Sequence, residues 1–322
     1  MFVKPIEVPF HVRQYDYLNK RLIASSPRKK AVEAQLARYT TGFHGEAALN
    51  YPLQFVPPDD LLFHNLRFPD RANFFQLDFL VLTRSFLMIL EVKNLKGKVM
   101  LNGRQMIRSL NNEVEAYPDP VIQALRHQCQ LNDWLSRRNF SGLPVKSLVV
   151  FGTRSVLNFE DKTRAAQCVM PDTVPFRIAE LSDRFQKTML SESECGQLKH
   201  FLLADHQPLE LDLLHHAKVS RTELIRGVRC PACGRFSVVR SFRTWLCMNC
   251  AHRPKYAGED ALIEYRHLFG SAITNRSCRE FLRLDSDSVA RKLLTTNQLP
   301  YEGSTRDRVY YINDQVLKQL EK

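Results

Sequence analysis

The sequence predicts an α/β domain with a mixed sheet flanked by helices, followed by a four-cysteine module and a small helical unit with a hairpin. Three observations carry this expectation. Strand-like apolar runs alternate with helical patterns through the first two-thirds of the chain, two Cys-x-x-Cys pairs lie near residue 240, and helical stretches with a β-like pair close the sequence. At 322 residues the chain has room for two or three folded units, and 44% hydrophobic with 25% charged residues is a composition that buries a core and excludes a disordered chain.

In order, the first unit is expected over residues 27–207. A helical pattern follows Ser26-Pro27, with serine as cap, proline in the first turn and Val32, Leu36 and Tyr39 on one stripe. A second, short helix is expected at Gly45-Glu46-Ala47-Ala48-Leu49. Strand-like runs follow at 61–68, 77–82 and 86–93, and 98–101 with 105–109 reads as a hairpin about Asn102-Gly103. Asp119-Pro120 opens a helix to about Arg138, with Val121, Leu125, Trp134 and Leu135 inward. The continuous apolar run 147–151 is a buried strand, and Ser191-Glu192-Ser193-Glu194 is a capping box starting a helix through Leu203. Residues 208–227 form a connector, the cysteine module spans 228–256, and a last unit covers 260–322.

The hairpin at 77–93 is where the sequence points to chemistry. If Arg84-Ser85 is a two-residue turn, positions whose numbers sum to 169 lie opposite one another; Asp78 then faces Glu91, and Lys93 shares their face two residues on. The middle of the hairpin is apolar on both faces, which puts the carboxylates at the mouth of a buried sheet. Two carboxylates about 5 Å apart repel by roughly 3 kcal/mol at an effective dielectric near 20, whereas a good cross-strand pair contributes about 1 kcal/mol, so a compensating charge is required. A divalent cation with oxygen ligands supplies it, and Lys93 helps from the flank. The other reading is that the acids are solvated strand ends, with a longer turn shifting the register.

Asp78, then Glu91-Val92-Lys93 at the end of the next strand, followed by Asn94 and Gly97, resembles the PD-(D/E)xK nuclease pattern. The surrounding sequence resembles the nuclease-related domain, NERD, more closely still. Gly42-x-x-Gly45-Glu46, Gln76-Leu77-Asp78, Ile89-Leu90-Glu91-Val92-Lys93-Asn94 and Pro120-Val121-Ile122-Gln123 follow in that family's order, over a motif core of 36–151. Leu77 stands where the broader superfamily has proline. The resemblance implies a restriction-endonuclease-like mixed sheet, with Asp78 and Glu91 as ligands of Mg2+ or Mn2+ and Glu46 as a helix-borne acid completing the site. Lys93 would orient or deprotonate the attacking water, or stabilise charge on the phosphoryl group, and Gln123 would position the site or touch substrate. Taken singly, Glu46 reads as a surface helix glutamate and Gln123 as a solvated helix residue; their joint occurrence carries the implication.

Thirteen residues separate Cys230-Pro231-Ala232-Cys233 from Cys247-Met248-Asn249-Cys250, the spacing of a four-cysteine structural zinc site. Strands at 236–239 and 243–246 would make the module resemble a zinc ribbon; redox dithiols and disulfides are the competing readings. The module displays Arg235, Arg240, Arg243 and Arg253, with Phe242 and Trp245 interleaved, a set suited to phosphate contact and base stacking. Alternatively Trp245 and Phe236 form the module's small core. Cys129, Cys168, Cys195 and Cys278 show no pairing pattern and are expected to be buried small hydrophobes.

Helices at 262–268, 277–284 and 286–295, with a β-like pair 298–302 and 308–312, resemble a winged helix-turn-helix. Arg291 and Lys292 would lie on its recognition helix, and Arg306 and Arg308 on its wing; the same arrangement also serves as a protein-docking module. The net charge is +12, and residues 215–256 carry nine basic residues against the single acid Glu223. That concentration draws polyanions, with nucleic acid, DNA first, as the natural partner, although a solvated face would look the same. No signal-peptide core or membrane-length apolar run is present, and eight cysteines then fit the cytoplasm. The expected function is metal-dependent hydrolysis of phosphodiesters in nucleic acid; the alternative is a non-catalytic DNA-binding or regulatory protein with a relict nuclease domain. A homodimer or a regulatory protein partner is compatible with either.

Overall fold

In the computed structural model, which describes residues 1–71, 73–241, 244–304 and 307–321, the tight turn at Arg84-Ser85 is present. Thr83 N–H donates to Phe86 O at 3.1 Å, and Thr83 Oγ1 accepts from the N–H groups of Ser85 and Phe86. The chain divides into two compact units, Met1–Pro9 with Arg38–Leu209 and Phe10–Ala37 with Glu210–Lys322.

The early elements are β1 (Phe2–Lys4), α1 (Phe10–Arg21), α2 (Lys29–Ala47), β2 (Leu61–Asp70), β3 (Asn73–Leu82) and β4 (Leu87–Lys93). There follow β5 (Gly97–Leu101), β6 (Gln105–Leu110), β7 (Glu113–Pro118), α3 (Pro120–Ser136), β8 (Val145–Phe151), β9 (Ser155–Phe159), α4 (Lys162–Ala165), β10 (Cys168–Val169), α5 (Val174–Arg184) and α6 (Glu192–Ala204). The six-stranded sheet of the first unit runs β1-β2-β3-β4-β8-β10. It is mixed: β2, β3 and β4 are antiparallel neighbours, while β1, β8 and β10 join in parallel. A second sheet, β7-β6-β5-β9, lies in the same unit.

Alternation along the hairpin sorts its side chains into two cores. Leu80, Leu82, Leu87 and Ile89 pack with Leu131, Trp134 and Leu135 of α3 and with Leu198 and Leu202 of α6. Phe79, Val81, Met88 and Leu90 pack with Leu49, Leu53 and, from α5, Val174 and Ile178. Each fully buried side chain contributes about 1.5–3 kcal/mol relative to exposure. Because both faces are apolar, hydrophobicity alone does not select the register. The turn does: Leu82 pairs Leu87, Val81 pairs Met88, Leu80 pairs Ile89 and Phe79 pairs Leu90.

Helix α3 starts where its cap requires, Asp119 accepting from Val121 N–H and Ile122 N–H, and α6 opens with the Ser191/Glu194 capping box. Two expectations for the N-terminal region are corrected. The helices expected at 27 and at 45 are one continuous α2, and α1, with its buried Val12, Tyr15 and Leu18, precedes it. Cys129 is exposed and Cys195 half-buried, whereas Cys168 and Cys278 are buried as expected.

The second unit contains α7 (Leu213–Ala217), the hairpin β11 (Val238–Ser241) and β12 (Thr244–Cys247), then α8 (Ala257–Phe269), β13 (Ala272–Thr274), α9 (Asn275–Leu282), α10 (Asp287–Thr296), β14 (Tyr301–Glu302), β15 (Val309–Tyr311) and α11 (Asp314–Leu320). A three-stranded sheet β13-β15-β14 accompanies α8, α9 and α10. Arg21 of α1 is fully buried here. It pairs with Glu264 of α8 at 2.5 Å, donates to the carbonyls of Ile225 and Gly227, and its guanidinium faces the rings of Phe236 and Phe281. These partners offset part of the cost of burying the charge, while Nη2 is left without a hydrogen bond. No helix among the described residues is long and apolar enough to cross a membrane.

Candidate functional site

The β3–β4 ladder ends at Phe79 and Leu90, so the next facing positions are Asp78 and Glu91. Beyond that point Val92 N–H donates to Asp78 Oδ2 at 2.7 Å. The carboxylate thus takes a backbone donor of β4 and is held where the β3–β4 pairing stops. Glu91 and Lys93 share the face of Ile89, which α3 covers, whereas the alternation of β3 breaks at Asp78, because Phe75 and Leu77 pack in the same core as Leu80 and Leu82.

From α3, Gln123 completes a ring of contacts. Glu91 Oε1 accepts from Lys93 Nζ at 2.7 Å and from Gln123 Nε2 at 2.7 Å, while Gln123 Oε1 accepts from Lys93 Nζ at 3.0 Å. His127, one helical turn after Gln123, places Nδ1 3.3 Å from Glu91 Oε2, close enough for attraction but not aligned as a hydrogen bond. Glu91 is 2% exposed, whereas Asp78 and Lys93 are half-buried.

The two acids have opposite electrostatic fates. Burial alone would raise Glu91, but the His127 ring and the Lys93 ammonium outweigh it and hold its carboxyl below the usual range. Asp78 is pushed well above that range, first by burial and then by the charges of Glu91 and Glu46; Lys93 and the Val92 N–H oppose this without reversing it. Protein donors therefore outweigh burial at Glu91 but not at Asp78.

Glu46 lies near enough for its charge to reach Asp78, yet it has its own partner. Its Oε2 is 2.7 Å from His64 Nε2, a residue of β2 that is 1% exposed and that pairs with Phe79, on the opposite face of the sheet. The helix that bears Glu46 is pinned by Asn94, whose Nδ2 donates to Thr41 O at 2.7 Å. A Cβ on Gly45 would sit 2.4 Å from Asn94 Cβ, and one on Gly152 would sit 2.7 Å from Asn94 Oδ1. Gly45 thus permits close approach of α2 to the end of β4, and does not start a new helix. Glu46, Asp78 and Glu91 do not bring three ligand atoms within 4.8 Å of one another; among the described residues only the four cysteines do.

This constellation lies within a segment that matches a known family. Residues 41–152 match the family model of the nuclease-related domain, NERD. The chain carries a nuclease-related domain. Glu46, His64, Asp78, Glu91, Lys93, Gln123 and His127 all fall inside the NERD segment. No curated protein matches the sequence. A solved structure, protein VC1899 from Vibrio cholerae, matches at 13% identity over 56% of this chain and 52% of that one, with a TM-score of 0.27; the chain spans about half of that protein's length.

The NERD oxygens fit a hard divalent cation. Glu91 Oε2 is buried without a hydrogen bond, and the raised Asp78 carboxyl marks a deficit of positive charge that a dication would offset. His64 and His127 were not singled out in the sequence. His127 carried a signal, its i, i+4 spacing from Gln123; His64 carried none, because only strand pairing brings it to Glu46.

In the second unit, Cys230 Sγ is 3.8 Å from Cys250 Sγ and Cys233 Sγ is 3.7 Å from Cys247 Sγ, with all four sulfurs within 4.8 Å of one another. Zinc–sulfur bonds of about 2.3 Å in a tetrahedron require sulfur separations of about 3.8 Å, so the cluster could hold a structural zinc. The Ser237 hydroxyl, 3.2 Å from Cys247 Sγ, holds that thiol down to about 6. The surrounding hairpin pairs Arg240 with Trp245.

The basic residues divide. Arg240 and Arg253 are exposed, Arg235 donates to Asn249 Oδ1 at 2.6 Å, and Arg243, Phe242 and Arg306 lie outside the described residues. Trp245 is 5% exposed, and a Cβ on Gly258 would meet its ring at 3.0 Å, so the indole belongs to the packing and is no platform for a base. Arg291 and Lys292 are both exposed on α10 but line different clefts, Arg291 with α9 and β15, Lys292 with Arg240 and Trp245 of the hairpin.

Proposed function

We propose that the NERD site hydrolyses phosphodiester bonds in nucleic acid, DNA in the first instance, with Mg2+ or Mn2+ held by Asp78 and Glu91. The observation that carries this reading is the Asp78, Glu91, Lys93 and Gln123 cluster where the pairing of β3 with β4 stops, with the Asp78 carboxyl raised by burial and by its acidic neighbours. The chemistry a bound cation supplies there is polarisation of the phosphodiester and a water more readily deprotonated. Lys93, fixed by Glu91 and Gln123, presents its ammonium to a phosphate entering past Asp78 and stabilises negative charge developing on the phosphoryl oxygens. His127 holds Glu91 from behind. The basic second unit, with a zinc-filled cysteine cluster, grips the polymer.

A second reading has its own support. Glu46 is engaged by His64 and does not close on the other two acids, an arrangement that a relict domain serving only to bind or regulate would also have. Incubation of the purified chain with plasmid, single-stranded DNA and RNA, each with magnesium or manganese, separates the two. Cutting that requires the cation and disappears in Asp78→Ala and Glu91→Ala is the expected result; binding without cutting of all three polymers favours the second reading.

A further inference from the structure

Far along the sequence from the acidic site, the second unit contains a cleft of about 490 Å³ whose charged lining is almost wholly arginine: Arg276 and Arg279 from α9, Arg291 from α10 and Arg308 just before β15, with Asp287 as the only acid among the described lining residues and Tyr310 beside them. That size lies within the range of small-ligand sites, about 300–1,000 Å³. Counting Glu280, which pairs with Arg276, four guanidinium groups against two carboxylates leave a surplus of two positive charges. A lone anionic oxygen of a polymer backbone would neutralise only half of it. A group with two or more charges and several oxygens on one centre matches both the surplus and the planar donor forks.

Part of this lining is already oriented. Arg308 lies with its guanidinium carbon 4.1 Å from the centre of the Tyr301 ring, and its Nε is buried with no hydrogen-bond partner. Arg279 makes one long contact of 3.4 Å to Leu284 O. Arg276 and Arg291 pair with Glu280 and Asp287 on their own helices, exposed i, i+4 contacts that exchange readily for a stronger acceptor.

We infer that this cleft binds a phosphate group bearing two or more negative charges, either the terminal phosphate of a nucleic-acid strand or a free polyphosphate such as that of a nucleotide. The site stands apart from the proposed hydrolysis and is tested without magnesium or manganese, so failure of one does not decide the other.

The experiment measures binding of the full chain, zinc retained, to an oligonucleotide with a 5′-phosphate, to the same strand with a 5′-hydroxyl, and to inorganic pyrophosphate. Discrimination of at least about tenfold (about 1.4 kcal/mol) in favour of the phosphorylated end assigns the site to strand termini. Equal binding of the two strands with tight, competitive binding of pyrophosphate assigns it to free polyphosphate. In either case Arg279→Ala with Arg308→Ala should abolish the effect, and Arg276→Glu, at a side chain 88% exposed, should weaken it in a chain that folds normally. Lys292→Ala, at a residue that lines a different cleft, should lower affinity for both strands alike and leave their ratio and the pyrophosphate binding unchanged. No preference for the phosphorylated end together with no pyrophosphate binding, or preference that survives both arginine variants, overturns the assignment.

Discussion

The two ligand clusters of this chain solve opposite problems. In the second unit four sulfurs meet at tetrahedral spacing and leave no coordination position open, so a metal there builds structure. In the first, Asp78 and Glu91 lie where the pairing of β3 with β4 stops, Glu91 held by Lys93, Gln123 and His127 and Asp78 raised by burial and by its acidic neighbours. The difference teaches that closure and charge balance distinguish a scaffold from a site able to act. A cluster that satisfies itself folds a hairpin, whereas one left with a charge deficit can accept a cation and a phosphate.

The sharpest way to break this contrast is to remove ligands from each cluster. Replacing Cys247 and Cys250 by serine should release zinc and the corresponding folding energy, for which structural sites show about 10–16 kcal/mol of apparent metal binding. Zinc content and hydrogen exchange of the hairpin are the measurements, and unchanged zinc would remove the scaffold half of the comparison. Glu91→Ala acts differently, stranding Lys93 and Gln123 and costing about 3 kcal/mol in a denaturant titration. Glu91→Gln, which keeps the shape, should cost less while still eliminating cutting.

How much of this was legible follows the range of the interactions. The turn at Arg84-Ser85, the Asp119 cap and the Cys-x-x-Cys pairs are local, and each appears in place. The pairing from Leu82–Leu87 to Phe79–Leu90 followed from the turn alone; beyond it Asp78 accepts from Val92 N–H. The His64–Glu46 contact spans 18 residues and depends on how α2 meets β2, which local patterning does not encode. Strand β1 joins β2 across some sixty residues, and α1 groups with the second unit, so neither carried a nearby signal. Trp245 was ambiguous between core and surface because a small hairpin uses the same residue type for both.

Acid should expose a likeness between the units. His206 and His267 are each depressed to about 4, chiefly by burial, so both are neutral in the folded chain at pH values where the unfolded chain binds protons. Stability is full above about pH 6.5 and falls as pH drops toward about 4, with no further loss from these groups below that. The effect is on the order of 2 kcal/mol for His267 and less for the more exposed His206. Thermal melts of His267→Phe across this window should show a flatter slope.

Smaller effects sharpen the contrast further. Asp78→Asn should stabilise the metal-free chain by about 0.5–2 kcal/mol while abolishing hydrolysis, because it removes a carboxyl raised first by burial and then by the charges of Glu91 and Glu46; a destabilised variant would contradict this. Lys292→Ala should lower nucleic-acid affinity uniformly across sequences and reduce the slope of log affinity against log salt by about 1, measured by anisotropy over a salt series.

Manganese titration followed by electron paramagnetic resonance tests the central claim most directly. The expected result is saturable manganese binding that vanishes in Asp78→Ala and Glu91→Ala and persists in the Cys247→Ser, Cys250→Ser variant. Binding that is absent in the wild type, or that survives loss of both carboxylates, would contradict it.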